Sequence, residues 1–491
     1  MISVISKHFS VVFVGALSVL AFAPFNLWWM AIVSFSFVFI IFYSAEMKHG
    51  FATGFAYGLG MFSFGVSWVF YSLHDVGGAS VLSAFAMTCV SVVVLSLFPA
   101  MAFYCGSKLL KFENVFDVLV FASLWVLFEW MRSWVLTGFP WLLFGHTLVD
   151  TYLSGVIPIF GTFGGSLLVV VIALLTSYLL MGMRVNQVKV LTIMVSIFVL
   201  AKLSSDIQWT HPLEDKQLNV AIVQGNVSSE MKWDESQRED IYSLYLKHTR
   251  KHYDSDIIVW PETAIPTYYY EVKDNLIANL GKELAKSNTE LLTGIFTYNP
   301  QQKEIYNSLV ILGEKTQFYN KQHLVPFGEF LPFRWIFDFF RGEVSIPMSD
   351  LSPGDSTTIL NIKSVPVGVS ICYEAAFGNE ILKSLPQAQV LINITNDAWF
   401  GDSLAPHQHL QIAQTRSLET GRYMIRAANT GISSVINSVG KILESSDQYI
   451  DQVIKSGVYS MQGNTPFTYW GNYFVILFST LVSTYAYIKG K

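Results

Sequence analysis

Three residues, far apart in the chain, could together turn a thiol into a nucleophile. Cys372 closes the run "VPVGVSIC" (365–372), Glu262 follows "DIIVWP" (256–261), and Lys321 follows "TQFYN" (316–320). A thiol titrating near about 8.5 is mostly protonated at neutral pH, so a nucleophilic cysteine needs help in losing its proton. A carboxylate whose burial raises it toward the working pH can take that proton. An ammonium group can stabilise the oxyanion that forms when a thiolate attacks a carbonyl carbon. Glu, Lys and Cys thus cover all three roles without a histidine.

The elements that must position them read as an α/β domain. Short β-rich runs recur at 219–224, 256–261, 290–298, 307–313, 365–372 and 389–395, with helical patterns at 234–252 and 275–287 between them. "GEK" at 313–315 joins two of the runs as a hairpin, which predicts a mixed sheet rather than a purely parallel one. In open α/β sheets ligands bind beyond the carboxyl ends of strands. Three reactive groups at three strand ends say more than any one of them.

Each residue also has an ordinary reading. Free cysteine is among the most buried residue types, so Cys372 could be structural; Cys89 and Cys105, inside long apolar segments, take that reading. Glu262 could be a loop carboxylate, Lys321 a surface lysine, and Glu329 and Glu374 solvated groups or helix caps.

Composition places much of the chain in lipid. It is 52% hydrophobic and only 14% charged, with a mean hydropathy of +0.42, whereas soluble domains carry about 25% charged residues. The net charge of −5 argues against nucleic acid as a partner. No cysteine or histidine spacing suggests zinc or haem, and no cofactor is expected. Apolar spans are predicted near 9–24, 27–44, 51–71, 79–106, 115–134, 153–181, 188–204 and 468–488. Ala21-Phe22-Ala23 fits a cleavage pattern, but Pro24 follows it and further spans come next, so 9–24 reads as a retained helix. With the N-terminus in the cytoplasm, Lys7, Lys48, Lys108, Lys111, Arg184, Lys189, Lys489 and Lys491 all fall inside, against Arg132 outside. The expected plan is a membrane domain at 1–204, an extracytoplasmic catalytic domain at 205–467 and a last helix with its tail at 468–491. Glu129 and Arg132, one turn apart in a span, read as a structural pair.

"WPETAIP" (260–266), "YNKQHLVPFGEFLPF" (319–333) and "ICYEAAF" (371–377) resemble the three motif blocks of the nitrilase, or carbon–nitrogen hydrolase, superfamily. With "AFAPF" (21–25), "EWMRSWVLTGFPWLLFG" (129–145), "NDAWFGDSLAPHQH" (396–409) and "RSLETGRYMIRAANTGIS" (416–433), nearly the whole chain is similar to the apolipoprotein N-acyltransferase family. The resemblance implies a polytopic helical membrane domain of about eight spans with an α-β-β-α sandwich, in the bacterial inner membrane, the sandwich facing the periplasm. It also implies Glu262 as base, Lys321 as oxyanion holder and Cys372 as nucleophile. Glu329 and Glu374 would hold Lys321 and tune the site, and Tyr373 would flank the nucleophile. Trp233 and Trp399 would line the path of acyl chain or lipoprotein, with a core role as the simpler alternative. The implied reaction is ping-pong transfer of the sn-1 acyl chain of a phospholipid, phosphatidylethanolamine by expectation, to the α-amino group of a diacylglyceryl-cysteine lipoprotein, carried out by a monomer. The nearest rival is a membrane-tethered amidase that uses water in the second step. The apolar stretch 330–348 reads either as a lid or membrane-dipping arm, or as a packed amphipathic helix.

Overall fold

The computed structural model describes residues 2–45, 47–182, 186–331, 350–355 and 357–490. The expected arm at 330–348 falls almost entirely outside them. The chain divides into two compact units: Met1–Phe70, Val81–Gln208 and Thr465–Lys491 form one, and Tyr71–Ser80 with Trp209–Asn464 the other.

The first unit is helical. Its main helices are Ile2–Leu17, Trp29–Ser44, Gly50–Gly65, Val81–Leu109, Val115–Arg132, Ile157–Leu180, Gln187–Ser205 and Tyr473–Gly490. Among the described residues three helical segments are long and apolar enough to cross a membrane: Val81–Leu109, Ser154–Leu180 and Gln187–Ser205. Phe9–Ala21, Trp29–Ser44 and Tyr473–Lys489 are apolar but shorter. Val115–Arg132 carries Asp117, Glu129 and Arg132, which lowers its apolar character.

Helix contacts here rest on small residues and aromatic rings. A Cβ on Gly60 would lie 1.9 Å from the Val12 carbonyl oxygen, and one on Gly15 would lie 2.1 Å from that of Tyr57. Backbones approach this closely only where no side chain intervenes. Phe35 packs edge-on against Tyr57, Trp125 and Phe144. Glu129 and Arg132 are both buried. The guanidinium donates to the Phe139 and Trp141 carbonyls at 2.9 and 2.5 Å, and Glu129 Oε1 accepts from the Phe144 amide at 3.4 Å. Both charges thus brace the 139–144 loop, consistent with a structural role.

The second unit is built on two sheets. The first holds β1 (Thr210–Gln224), β2 (Ile257–Val259), β3 (Ile265–Tyr268), β4 (Glu290–Asn299), β5 (Glu304–Leu312) and β6 (Gln317–Asn320). The second holds β7 (Ile359–Ile362), β8 (Val365–Ile371), β9 (Val390–Thr395), β10 (Tyr423–Ala428), β11 (Ser434–Ile436) and β12 (Ile442–Ser445). β13 (Gln452–Gly463) returns to pair antiparallel with β1. As the hairpin signal predicts, β5 and β6 pair antiparallel while β1, β2 and β4 run parallel.

Period-2 alternation sends one side-chain set of each sheet inward. Val220, Ile222, Val259, Leu292 and Ile311 meet Val367, Val369, Ile371, Ile392 and Ile425 in one core between the sheets. The opposite face of the first sheet packs on helices Arg238–Arg250 and Ala278–Ser287 through Tyr242, Tyr245, Leu280 and Leu284. That of the second packs on Ala405–Thr420 through Leu410 and Ala413. The layers are α-β-β-α. β1 is much longer than its apolar signature at 219–224, because β13 pairs it along its length, with an irregularity between Pro212 and Gln217. Pairing with a strand some 240 residues away leaves no mark in the local pattern of either partner.

Candidate active site

The carboxyl ends of β2, β6 and β8 deliver Glu262, Lys321 and Cys372, and all three side chains are buried. Nζ of Lys321 lies 2.8 Å from Glu329 Oε1 and 3.6 Å from Glu262 Oε1. Asn307, on β5, ties both carboxylates together: its Nδ2 donates to Glu262 Oε1 at 2.7 Å and to Glu329 Oε1 at 2.9 Å. The Asn396 amide donates to Glu262 Oε2 at 2.7 Å, and the Val325 amide to Glu329 Oε2 at 2.8 Å.

Electrostatics follow from this packing. Burial and then the Glu262 charge push the Cys372 thiol upward, while Lys321 pulls it back only in part. The resting group is a thiol, and forming the thiolate requires an acceptor for its proton. Burial alone would lower Lys321, but the charges of Glu329 and Glu262 outweigh it and leave its ammonium firmly protonated.

Cys372 has a φ of +53°, a left-handed conformation that is costly for a residue with a Cβ. It turns the chain sharply out of β8 into the turn Cys372–Ala376. Glu374 braces that turn: Oε2 accepts from the Ile371 amide at 2.6 Å, and Oε1 from Tyr319 Oη at 2.7 Å, the Gln322 amide at 2.6 Å and the His323 amide at 3.1 Å. Burial pushes its carboxyl up to about 7 against these donors. Glu374 therefore joins the Cys372 turn to the segment after Lys321.

A second polar group holds the Cys372 carbonyl. Asn393 Nδ2 lies 3.3 Å from it and His409 Nε2 3.2 Å. A carbonyl only accepts, so Nε2 carries the proton. Nδ1 lies between Arg426 Nη2 at 3.0 Å and Asp397 Oδ1 at 3.1 Å. Burial and the Arg426 charge hold His409 below its usual range, against the pull of the Asp397 carboxylate. Arg426 also donates to Asp397 Oδ2 at 2.8 Å and to Asn393 Oδ1 at 2.8 Å. Burial would raise Asp397, but Arg426 overrides it and holds the carboxyl at about 2.

Tyr373 is buried, edge-on to Phe377 at 5.0 Å. Trp233 is 47% exposed and leans on Phe296. Trp399 is half-buried, its carbonyl accepting from Ser72 Oγ at 2.7 Å. Sequence reasoning assigned no role to Asn307, Asn393, Asp397, His409 or Arg426; the last four lie in or beside "NDAWFGDSLAPHQH" and "RSLETGRYMIRAANTGIS", which drew notice without a chemical reading.

Two family models match the chain: the apolipoprotein N-acyltransferase N-terminal domain over residues 14–175 and carbon-nitrogen hydrolase over 219–459. The apolipoprotein N-acyltransferase of Methylococcus capsulatus is 40% identical across 94% of this chain and 91% of that protein. Those of Coxiella burnetii and Photobacterium profundum are 36% and 34% identical, over 94% and 96% of this chain and 96% and 93% of theirs.

Proposed function

The chain belongs to the apolipoprotein N-acyltransferase family, and from that premise we propose that Cys372 carries an acyl group between two lipid-anchored substrates. Glu262 takes the Cys372 proton as Sγ attacks the sn-1 ester carbonyl of a phospholipid, and the Lys321 ammonium faces the oxyanion. Collapse breaks the ester bond. Glu262 returns the proton to the leaving alkoxide, leaving a thioester and a lysophospholipid. The free α-amine of a diacylglyceryl-cysteine then attacks the thioester. Glu262 removes a proton from that nitrogen and passes it to the departing sulfur, giving an amide and the original thiol.

The observation that carries this reading is the convergence of Glu262, Lys321 and Cys372 at three strand ends, with Asn307 and Glu329 fixing the first two. Glu329 and Glu374 act as positioning residues. Tyr373 flanks the nucleophile, and Trp233 and Trp399 line the path of acyl chain or lipoprotein. We further propose that the helical unit crosses the inner membrane about eight times and presents the sandwich to the periplasm, which the bias of basic residues supports. Phosphatidylethanolamine is the proposed donor and a monomer the proposed state.

A detergent-solubilised assay with phosphatidylethanolamine and a diacylated lipopeptide tests the reading. Lysophospholipid and N-acylated peptide should form in equal amounts, and Cys372→Ala should abolish both. Free fatty acid in place of acylated peptide would favour the amidase reading instead.

A further inference from the structure

Lys232 is a buried cation that the proposed mechanism does not use. It lies in the short helix Ser229–Trp233 and is 2% exposed. Among the described residues its ammonium makes one hydrogen bond, 3.4 Å long, and the acceptor is the backbone carbonyl of Glu262. An ammonium has three donors and is costly to bury. Its placement against a single main-chain oxygen of the general base needs a reason.

That reason lies in the peptide it touches. Glu262 is joined to Thr263, whose φ is +51°, a strained conformation for a β-branched residue. A flip of the Glu262–Thr263 peptide would carry Thr263 toward negative φ and relieve the strain. The same flip would turn the Glu262 carbonyl away from Lys232 Nζ. β4 presses on this peptide too: a Cβ on Gly294 would lie 2.3 Å from the Thr263 nitrogen and 2.7 Å from Glu262 Cα.

We propose that Lys232 is a positioning residue for the general base: its ammonium holds the strained Glu262–Thr263 peptide and so keeps the Glu262 carboxylate directed at Cys372. This rests on Glu262 acting as base for Cys372. Burial lowers Lys232 to about 8, the nearby Glu262 charge opposing it. The ammonium is present below that pH and is lost as pH rises through it, and the neutral amine is a weaker donor. Among the described residues the charge that acts on Lys232 is the Glu262 carboxylate, with Lys321 and then Glu329 beyond it, while Glu230 and Asp234 flank Lys232 along its own segment.

Alkylation of Cys372 by iodoacetamide, read by peptide mass spectrometry on the full-length protein in detergent, tests this without any acyl donor. A failure of the acyltransferase reading therefore stays separate from a failure here. Lys232→Met should slow alkylation at pH 7 by about ten- to a hundredfold, in the range set by mispositioning a catalytic group, and Glu262→Gln should do the same. Lys232→Arg should recover most of the rate, and the ratio of its rate to that of the wild type should grow from pH 7 to pH 9.5, because arginine keeps its charge. Wild-type alkylation in Lys232→Met would overturn the proposal. So would a flat Arg-to-wild-type ratio, which decides the matter if the Met variant does not fold.

Discussion

The Lys321 ammonium pairs more closely with Glu329 than with Glu262: Nζ stands 2.8 Å from the first carboxylate and 3.6 Å from the second. The pairing satisfies the cation while leaving Glu262 able to accept a proton. Replacing Glu329 by Gln leaves Lys321 with Glu262 as its carboxylate partner, and a carboxylate tied to an ammonium is a poorer base. Glu329→Gln should lower kcat by about a hundredfold with little change in KM for the lipopeptide. Steady-state kinetics on the purified variant measures both; a rise in KM at unchanged kcat would contradict the assignment.

Glu374 meets four donors with two carboxylate oxygens. An amide in its place has one oxygen, so at least one buried N–H loses its acceptor, at a cost of about 1–3 kcal/mol. Glu374→Gln should therefore lower the thermal midpoint and slow acylation of Cys372 together. Thermal unfolding in detergent, run beside the acylation assay, measures both.

The placement of several of these side chains is legible in the sequence. Glu262, Lys321 and Cys372 stand at strand ends, and a strand followed by a lone reactive group is a local pattern. The hairpin at 313–315 was equally local. Asn307 was not legible, because it sits within β5 and its meaning depends on Glu262 and Glu329, which other elements bring to it. Lys232 hid beside the more conspicuous Trp233. His409, Arg426 and Asp397 acquire a role only when β9, β10 and helix Ala405–Thr420 converge behind the Cys372 carbonyl. Tyr71–Ser80 reads as span and connection, yet it packs with the second unit, where Ser72 binds Trp399.

Asp397 gives a pH signature. Its folded value of about 2 lies below the ordinary 3.8, so the unfolded chain binds the proton more readily. The stability it contributes is fully present above about pH 4 and is lost as pH falls toward about 2. Asp397→Asn should flatten that window. At neutral pH it should also destabilise the protein by about 3–5 kcal/mol, since Arg426 is left as a buried charge without its carboxylate. Unfolding midpoints between pH 2 and pH 7 test both statements.

Gly294 must lack a side chain, since a Cβ there would strike the backbone of Thr263 and Glu262. Gly294→Ala should displace Glu262 and cost about a hundredfold in kcat, with the fold retained. Retention of full activity would show that the base tolerates the shift.

The most direct test is a single turnover. The protein is loaded with phosphatidylethanolamine, freed of excess lipid, and its intact mass and peptide map are recorded before and after a diacylated lipopeptide is added. One acyl mass should reside on Cys372 and then leave it quantitatively for the peptide amine with no phospholipid present. An acyl group on another residue, or its release as free fatty acid with the peptide unmodified, would contradict the account.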